Sequence, residues 1–375
     1  METTTPATPR KFWPLFGLLA LIILGGWALY GDHDSTPADS EPIKIGALLS
    51  LTGGASAWGE NAQKGIALAT EEINKNGGIN GKQVEIIYED TASDPKVAVS
   101  AFQKVTSFDR VDAIIGPLNQ TETASVISLI DQTKIPTIAP GFLPLQNRTN
   151  INNPLLIWTD AETEAGRLAQ YVYDQGIRSV GVIGTLDAWE NTVTMGFVNN
   201  FRALGGSITD LEQVQPTADD MKLPVTKILA TKPQAIYLGT YYQFVNSLKE
   251  ISNQGYKGKL YGIEVDDYLA GETAQWSNGL QFISPDYYTT AFIDDFKAKY
   301  ATEPGIPAGQ SYDAAKILFS LIGETQNDTL EAMKKFKQYD GVSGELRISA
   351  EGRTYLPTAL FQINNGKISR VESLK

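Results

Sequence analysis

IKIGALLSLTGGASAWGENAQKGIALATEEINKNGGINGKQVEIIYEDTASDP, residues 43–95, reads as an apolar strand, a glycine-rich loop carrying a tryptophan, an amphipathic helix, a double-glycine turn and a second strand ending in acidic residues. Ala62, Ile66, Ala69 and Ile73 recur at helical spacing, while Glu60, Lys64, Glu71, Glu72 and Lys75 face away. Gly77-Gly78 stops the helix. The stretch is one complete βαβ unit. Its right-handed crossover commits the strands that follow to a mostly parallel sheet, with ligands beyond the carboxyl ends of the strands. The loop at residues 52–59 therefore lies where function is expected.

The chain repeats this rhythm. Asp94-Pro95 starts a helix, with Asp as cap and Pro at the first helical position. Strands are expected at 112–115, 136–140 and 155–159, and a second array begins with a helix at 162–175 and strands at 180–183, 207–214, 235–238 and 260–263. After 280–284 the pattern turns helical, and residues 341–375 read as β, with turns at Glu351-Gly352 and Asn365-Gly366. Two α/β arrays followed by helices and a β tail predict two lobes and a cleft rather than one sheet.

Composition narrows the function. With 31 Lys+Arg against 43 Asp+Glu, the net charge is −12, which repels a nucleic-acid backbone. There is no cysteine, so disulfides, thiolate catalysis, Cys-based metal sites and a cysteine-linked lipid are excluded. The single histidine, His33, falls in a linker, and no Ser/His/Asp or Cys/His system can be assembled in the folded part. No metal or cofactor is expected.

The N-terminus predicts a membrane segment. Arg10 and Lys11 precede FWPLFGLLALIILGGWALY, residues 12–30, which carries no charge and is long enough to span a bilayer. The positive flank places the bulk of the chain outside the cytoplasm. The segment is either an uncleaved anchor or a signal cut near Gly26-Trp27-Ala28; the polar residues 32–42 follow as a linker.

The loops offer candidates for a site. Gly54 and Gly59 have P-loop spacing, but Glu60-Asn61 stands where Lys-Ser/Thr would be needed, and no G-x-G-x-x-G is present. What remains is a flexed loop that lifts Trp58 above the end of the first strand. Trp189 and Tyr241 stand in corresponding places in the second array, as aromatic walls for a small ligand or as packing residues. Glu264 follows the strand at 260–263 and could receive a cationic group; Asp266 and Asp267 after it read as loop or cap residues.

Residues 43–95, with AIIGP and IPTIAP further on, resemble the opening of the type I periplasmic solute-binding proteins of the branched-chain amino acid group, the Leu/Ile/Val-binding protein family of ABC transporters. The resemblance weakens along the chain but covers residues 43–365. It implies two Rossmann-like lobes joined by three crossovers, near 158–160, 283–286 and 341–345. The lobes would comprise 43–158 plus 286–341 and 159–285 plus 342–375, after an N-terminal segment at 1–31. It implies a non-enzymatic monomer that closes on an amino acid or similar amide or carboxylate and hands it to an ABC permease. The ligand residues it implies are Trp58, Gln120, Thr121, Gly141, Trp189, Tyr241 and Glu264, the last holding the ligand's ammonium. The departures lie in the carboxylate clamp, where Gln120 and Leu143 replace a Ser and a Thr. Two other readings stay open: a membrane-anchored ligand sensor on the same fold and, more distantly, a carboxylate-based hydrolase.

Overall fold

Ile45, Ala47 and Leu49 are buried on one side of the first strand, β1 (Ile43–Leu49), and Leu48 on the other. A strand covered on both faces belongs inside a parallel sheet. β1 does pair in parallel with β2 (Val84–Asp90) and with β3 (Ala113–Ile115). With β4 (Thr137–Ala139) and β5 (Leu155–Leu156) they form a sheet of order β2-β1-β3-β4-β5. The computed structural model describes Met1 and residues 41–144, 147, 153–325 and 328–374. The expected membrane segment at 12–30 and His33 lie outside the described residues.

Helix α1 (Ser56–Lys75) covers one face of this sheet through Ala62, Ile66 and Ala69. Helices α2 (Pro95–Gln103) and α3 (Gln120–Thr133) cover the other with Phe102, Val126 and Ile130. Asp94 caps α2 as expected, accepting from the backbone of Lys96 and Val97.

The second array supplies α4 (Ala161–Asp174), β6 (Ser179–Thr185), α5 (Ala188–Ala203), β7 (Ser207–Val214), α6 (Lys222–Ala230), β8 (Ala235–Gly239), α7 (Phe244–Asn253), β9 (Lys259–Ile263), α8 (Asp267–Glu272) and β10 (Gln281–Pro285). The chain then returns to the first core. α9 (Thr290–Tyr300) leads to α10 (Ala308–Thr325), which buries Ala314, Ile317, Leu318 and Leu321 beside Ile45 and Ile66. Gly65 makes this possible: a Cβ there would stand 2.1 Å from the carbonyl oxygen of Ala308. α11 (Thr329–Lys335) and a small sheet of β11 (Gln338–Gly341), β12 (Gly344–Ile348) and β13 (Thr354–Tyr355) stay with that core.

Finally β14 (Thr358–Asn364) adds antiparallel to β10 and β15 (Lys367–Leu374) antiparallel to β14, giving the order β15-β14-β10-β9-β8-β6-β7. Both sides of this sheet are dry as well. Val180, Val182 and Tyr237 face α4 and α5, and Ile183, Ile236 and Leu238 face α6 and α7. Phe197 packs between Phe201 and Tyr237, with ring centroids 5.5 and 4.1 Å away.

Two sheets with separate cores thus exchange the chain three times, at residues 157–160, 286–289 and 355–358. These passages run side by side: Asp160 N donates to Thr354 O, and Asp286 N to Pro357 O. The third differs from the position implied by the family resemblance. At 341–345 the chain turns the β11–β12 hairpin instead, and Leu346, Ile348 and Leu356 pack into the first core.

Helix starts also correct the expectations. α1 begins at Ser56, α3 at Gln120 and α5 at Ala188, so Trp58, Gln120, Thr121 and Trp189 lie in first helical turns rather than in loops. The caps Asn119 and Asp187 explain two of these starts, since each side chain accepts from the backbone two or three residues on. Helix α6, absent from the periodicity reading, carries only a short buried stripe of Pro224, Val225 and Ile228.

Candidate functional site

The carboxyl ends of β1, β2, β3 and β4 face those of β6, β8 and β9 across a cavity of about 280 Å³. All seven residues that sequence and resemblance single out line it: Trp58, Gln120, Thr121, Gly141, Trp189, Tyr241 and Glu264. The wall also includes Ser93, Asn119, Phe142, Trp158, Asp187, Glu190 and Tyr242. Among the described lining residues there is no lysine, arginine or histidine, whereas Asp187, Glu190 and Glu264 bring three carboxyl groups.

The aromatic part is built in pairs. Trp58, on the first turn of α1, packs against Trp158 with ring centroids 5.6 Å apart and planes inclined by 30°. Trp158 sits on the first passage between the sheets and is buried. Tyr241 leans edge-on to Tyr242 and donates its hydroxyl to Asp266 Oδ2 at 2.8 Å. Asp266 also caps α8 through Leu269 N, so it is the cap residue anticipated and an anchor for the aromatic wall as well.

Of the three lining carboxyl groups, Glu264 is the one most perturbed by its surroundings, a buried side chain at the end of β9. It is only 4% exposed, and its backbone takes a positive φ of 46° directly after β9. Trp158 Nε1 donates to its Oε1 at 2.9 Å, while Oε2 has no hydrogen-bond partner among the described residues. Burial raises its pKa to about 7, against the opposing pull of the indole N–H. Beside it lies Glu164 of α4, fully buried, whose pKa is pushed well above the carboxylate range by burial and then by the charge of Glu264.

At the opposite end, Gln120 is 7% exposed and its Oε1 is likewise without a partner among the described residues. Asn119 Oδ1 accepts from Glu122 N and from the Thr121 hydroxyl, both at 2.9 Å, which orders the first turn of α3. Gly141 is needed because a Cβ there would lie 2.1 Å from Leu118 O. Leu143 is buried among Ile127, Ala139 and Leu156, away from the cavity lining.

Two further carboxylates hold the loops in place. Glu122, buried on α3, receives the hydroxyls of Ser50 and Thr91 at 2.7 to 3.1 Å. Glu190, buried on α5, receives Tyr241 N at 2.7 Å and Tyr242 N at 3.0 Å. Each occupies the third position after a capping Asn or Asp and ties a neighbouring strand end to its helix. Sequence reasoning missed Trp158, Glu164 and Glu190. The spacing Asp187-x-x-Glu190 was a signal for the last, although a capping box would have aimed the carboxylate at its own helix end.

A family model described as periplasmic binding protein matches residues 42–367. The chain belongs to that family. A leucine-, isoleucine-, valine-, threonine- and alanine-binding protein of Pseudomonas aeruginosa is 23% identical over 351 residues, covering 89% of this chain and 91% of that one. A Leu/Ile/Val-binding protein of Rhizobium johnstonii is 27% identical over 210 residues, covering 55% of this chain and 56% of that protein. Among solved structures, a branched-chain amino acid transporter substrate binding protein of Streptococcus pneumoniae in complex with isoleucine superposes with a TM-score of 0.80 at 24% identity, covering 89% of this chain and all of that one. The resemblance read from residues 43–95 is therefore borne out, and this periplasmic binding protein has relatives that bind ligands rather than transform them.

Proposed function

We propose that the cavity captures a small ligand bearing an ammonium or amide group and that closure of the two sheet-based bodies encloses it. Outside the cytoplasm, the chain then presents that ligand to the permease of an ABC-type importer. The observation that carries the ligand chemistry is the lining itself: among the described residues, a buried carboxyl oxygen at Glu264 to which none donates in the ligand-free cavity, aromatic walls from both sides, and no cationic side chain. A cation or N–H group meets Glu264 Oε2, and Trp58, Trp158, Trp189 and Tyr241 exclude water around it. The three adjacent passages at 157–160, 286–289 and 355–358 serve as the hinge.

At the Gln120 end, the first backbone N–H groups of α3 offer donors to a carboxylate, and Gln120 Oε1 offers an acceptor to an amide. Branched-chain amino acids are the first candidates because relatives bind them, with their amides next. The charge-free residues 12–30 tether the chain to the membrane, and the protein acts as a monomer. A thermal-shift series over amino acids and their amides tests the assignment: at least one ligand raises the melting temperature of the wild type, and Glu264→Ala abolishes the rise. A full rise in the variant would refute the role of Glu264.

A further inference from the structure

Glu264 does not stand alone at the end of the cavity. Glu164 lies in the first turn of α4, 0% exposed, its carboxyl group within hydrogen-bonding reach of Glu264, and no other described residue donates to either of its oxygens. The neighbouring Glu264 Oε2 is buried without such a donor too. Three buried oxygens without a donor on two adjacent carboxyl groups are costly if both are ionised, and the cost falls if one group carries a proton and donates it to the other, which removes one charge and pairs two of the three oxygens.

The surroundings offer little else to neutralise two charges. From α4 itself, Arg167 attracts Glu164, but its guanidinium is turned to Leu356 O at 3.2 Å and Thr358 Oγ1 at 2.9 Å. From β8, the Tyr237 hydroxyl donates to Val193 O at 3.4 Å, and from α5 comes Glu190, a third carboxyl group occupied with the Tyr241 and Tyr242 backbone. From the first passage, Trp158 donates only to Glu264 Oε1.

We infer that Glu164 carries a proton and donates it to Glu264, so that the buried pair presents at most one negative charge to the cavity. Glu164 is then a positioning and specificity-determining residue that never touches the ligand. It holds the charge of this pair to at most one, beside the Asp187 and Glu190 carboxyl groups that also line the cavity. It also aims the Glu264 carboxylate by holding it from behind while Trp158 holds it from the side. The pKa values of both groups are raised, foremost by burial, in keeping with a proton shared between them. The inference deepens the proposed function and rests on Glu264 as the ligand's anionic contact.

Infrared difference spectroscopy of the ligand-free chain tests it directly, using the carbonyl stretch that only a protonated carboxyl group shows. Between pH 5 and pH 9 the wild type should keep one such band at the alkaline end, and Glu164→Gln should lose it. A second band should titrate near neutrality and be lost in Glu264→Gln. Absence of an alkaline band, or its survival in Glu164→Gln, would overturn the inference. Gln at 164 still donates through its amide, so that variant should bind whatever ligand the wild type binds, while Glu164→Ala should lose affinity roughly tenfold or more. Failure of every ligand to raise the melting temperature would sink the proposed function instead, leaving the infrared result to stand or fall by itself.

Discussion

Replacing Glu190 with alanine removes the acceptor of two backbone donors, Tyr241 N at 2.7 Å and Tyr242 N at 3.0 Å, from a buried position. Hydrogen bonds to a charged group contribute roughly 1.5 to 3 kcal/mol each, which sets a gross loss of about 3 to 6 kcal/mol. Part of that is returned, because burial pushes the pKa of Glu190 up and so works against its charged form. The net destabilisation expected is about 2 to 4 kcal/mol, or roughly 3 to 5 °C in melting temperature for a chain of this size.

Glu190→Gln keeps a carbonyl oxygen for the same two donors and should lose no more than about half as much. The assay is a calorimetric melt of the three proteins side by side. An alanine variant melting within about 1 °C of the wild type would refute the claim that this carboxylate holds the aromatic loop. The loop also carries Tyr241 into the cavity, so the alanine variant should bind ligand more weakly even at temperatures where it is folded.

Three further outcomes follow from the packing and the site. Burial pushes the pKa of Asp313, which accepts from Val342 N and Ser343 N, up to about 6. The folded chain therefore holds a proton there, between about pH 4 and 6, that the unfolded chain has released, and stability declines by up to about 3 kcal/mol as pH rises through that window. Urea unfolding at a series of pH values should show a shallower decline for Asp313→Asn, and an identical slope would contradict this. Gly65→Ala places a methyl group 2.1 Å from Ala308 O and should cost about 2 to 4 kcal/mol by forcing α1 and α10 apart; an unchanged denaturation midpoint would count against that packing. Trp58→Ala removes the ring that packs on Trp158, and calorimetric titration should show ligand affinity reduced roughly 10- to 100-fold, with an unaltered affinity excluding Trp58 from the wall.

The strands were legible because they are dry on both faces. Residues 43–49 alternate sides, yet both sides are apolar, and that uniformity is what marks a parallel sheet. The cavity end was legible too, since ligands in such sheets sit beyond the strand ends, and Trp58, Gln120, Trp189, Tyr241 and Glu264 all follow strands closely. Helix starts were misjudged because Ala55-Ser56 and Asn119-Gln120 look like loop. It is the side chain of Asn119, satisfying Glu122 N, that makes the second of these a cap. Trp158 and Glu164 escaped notice for a different reason. Trp158 reads as part of the strand expected at 155–159 and Glu164 as a helix residue, and their importance arises from contacts with Glu264, about a hundred positions away, that no local pattern encodes. Residues 341–345 were misplaced as a crossover because a β-rich tail does not say which of two sheets it joins. The burial of Leu346 and Ile348 against the first core decides that.

The proposed binding mode turns on Glu264 as the anionic contact for a ligand's ammonium or amide group within this cavity. Isothermal titration of the wild type and of Glu264→Ala, with isoleucine, leucine, valine and their amides, tests it most directly. At least one of these ligands should bind the wild type, with affinity falling as pH drops below about 7, where Glu264 takes up a proton. The variant should bind that ligand at least tenfold more weakly and without that pH dependence. Equal affinity and an equal pH profile in the two proteins would contradict the account.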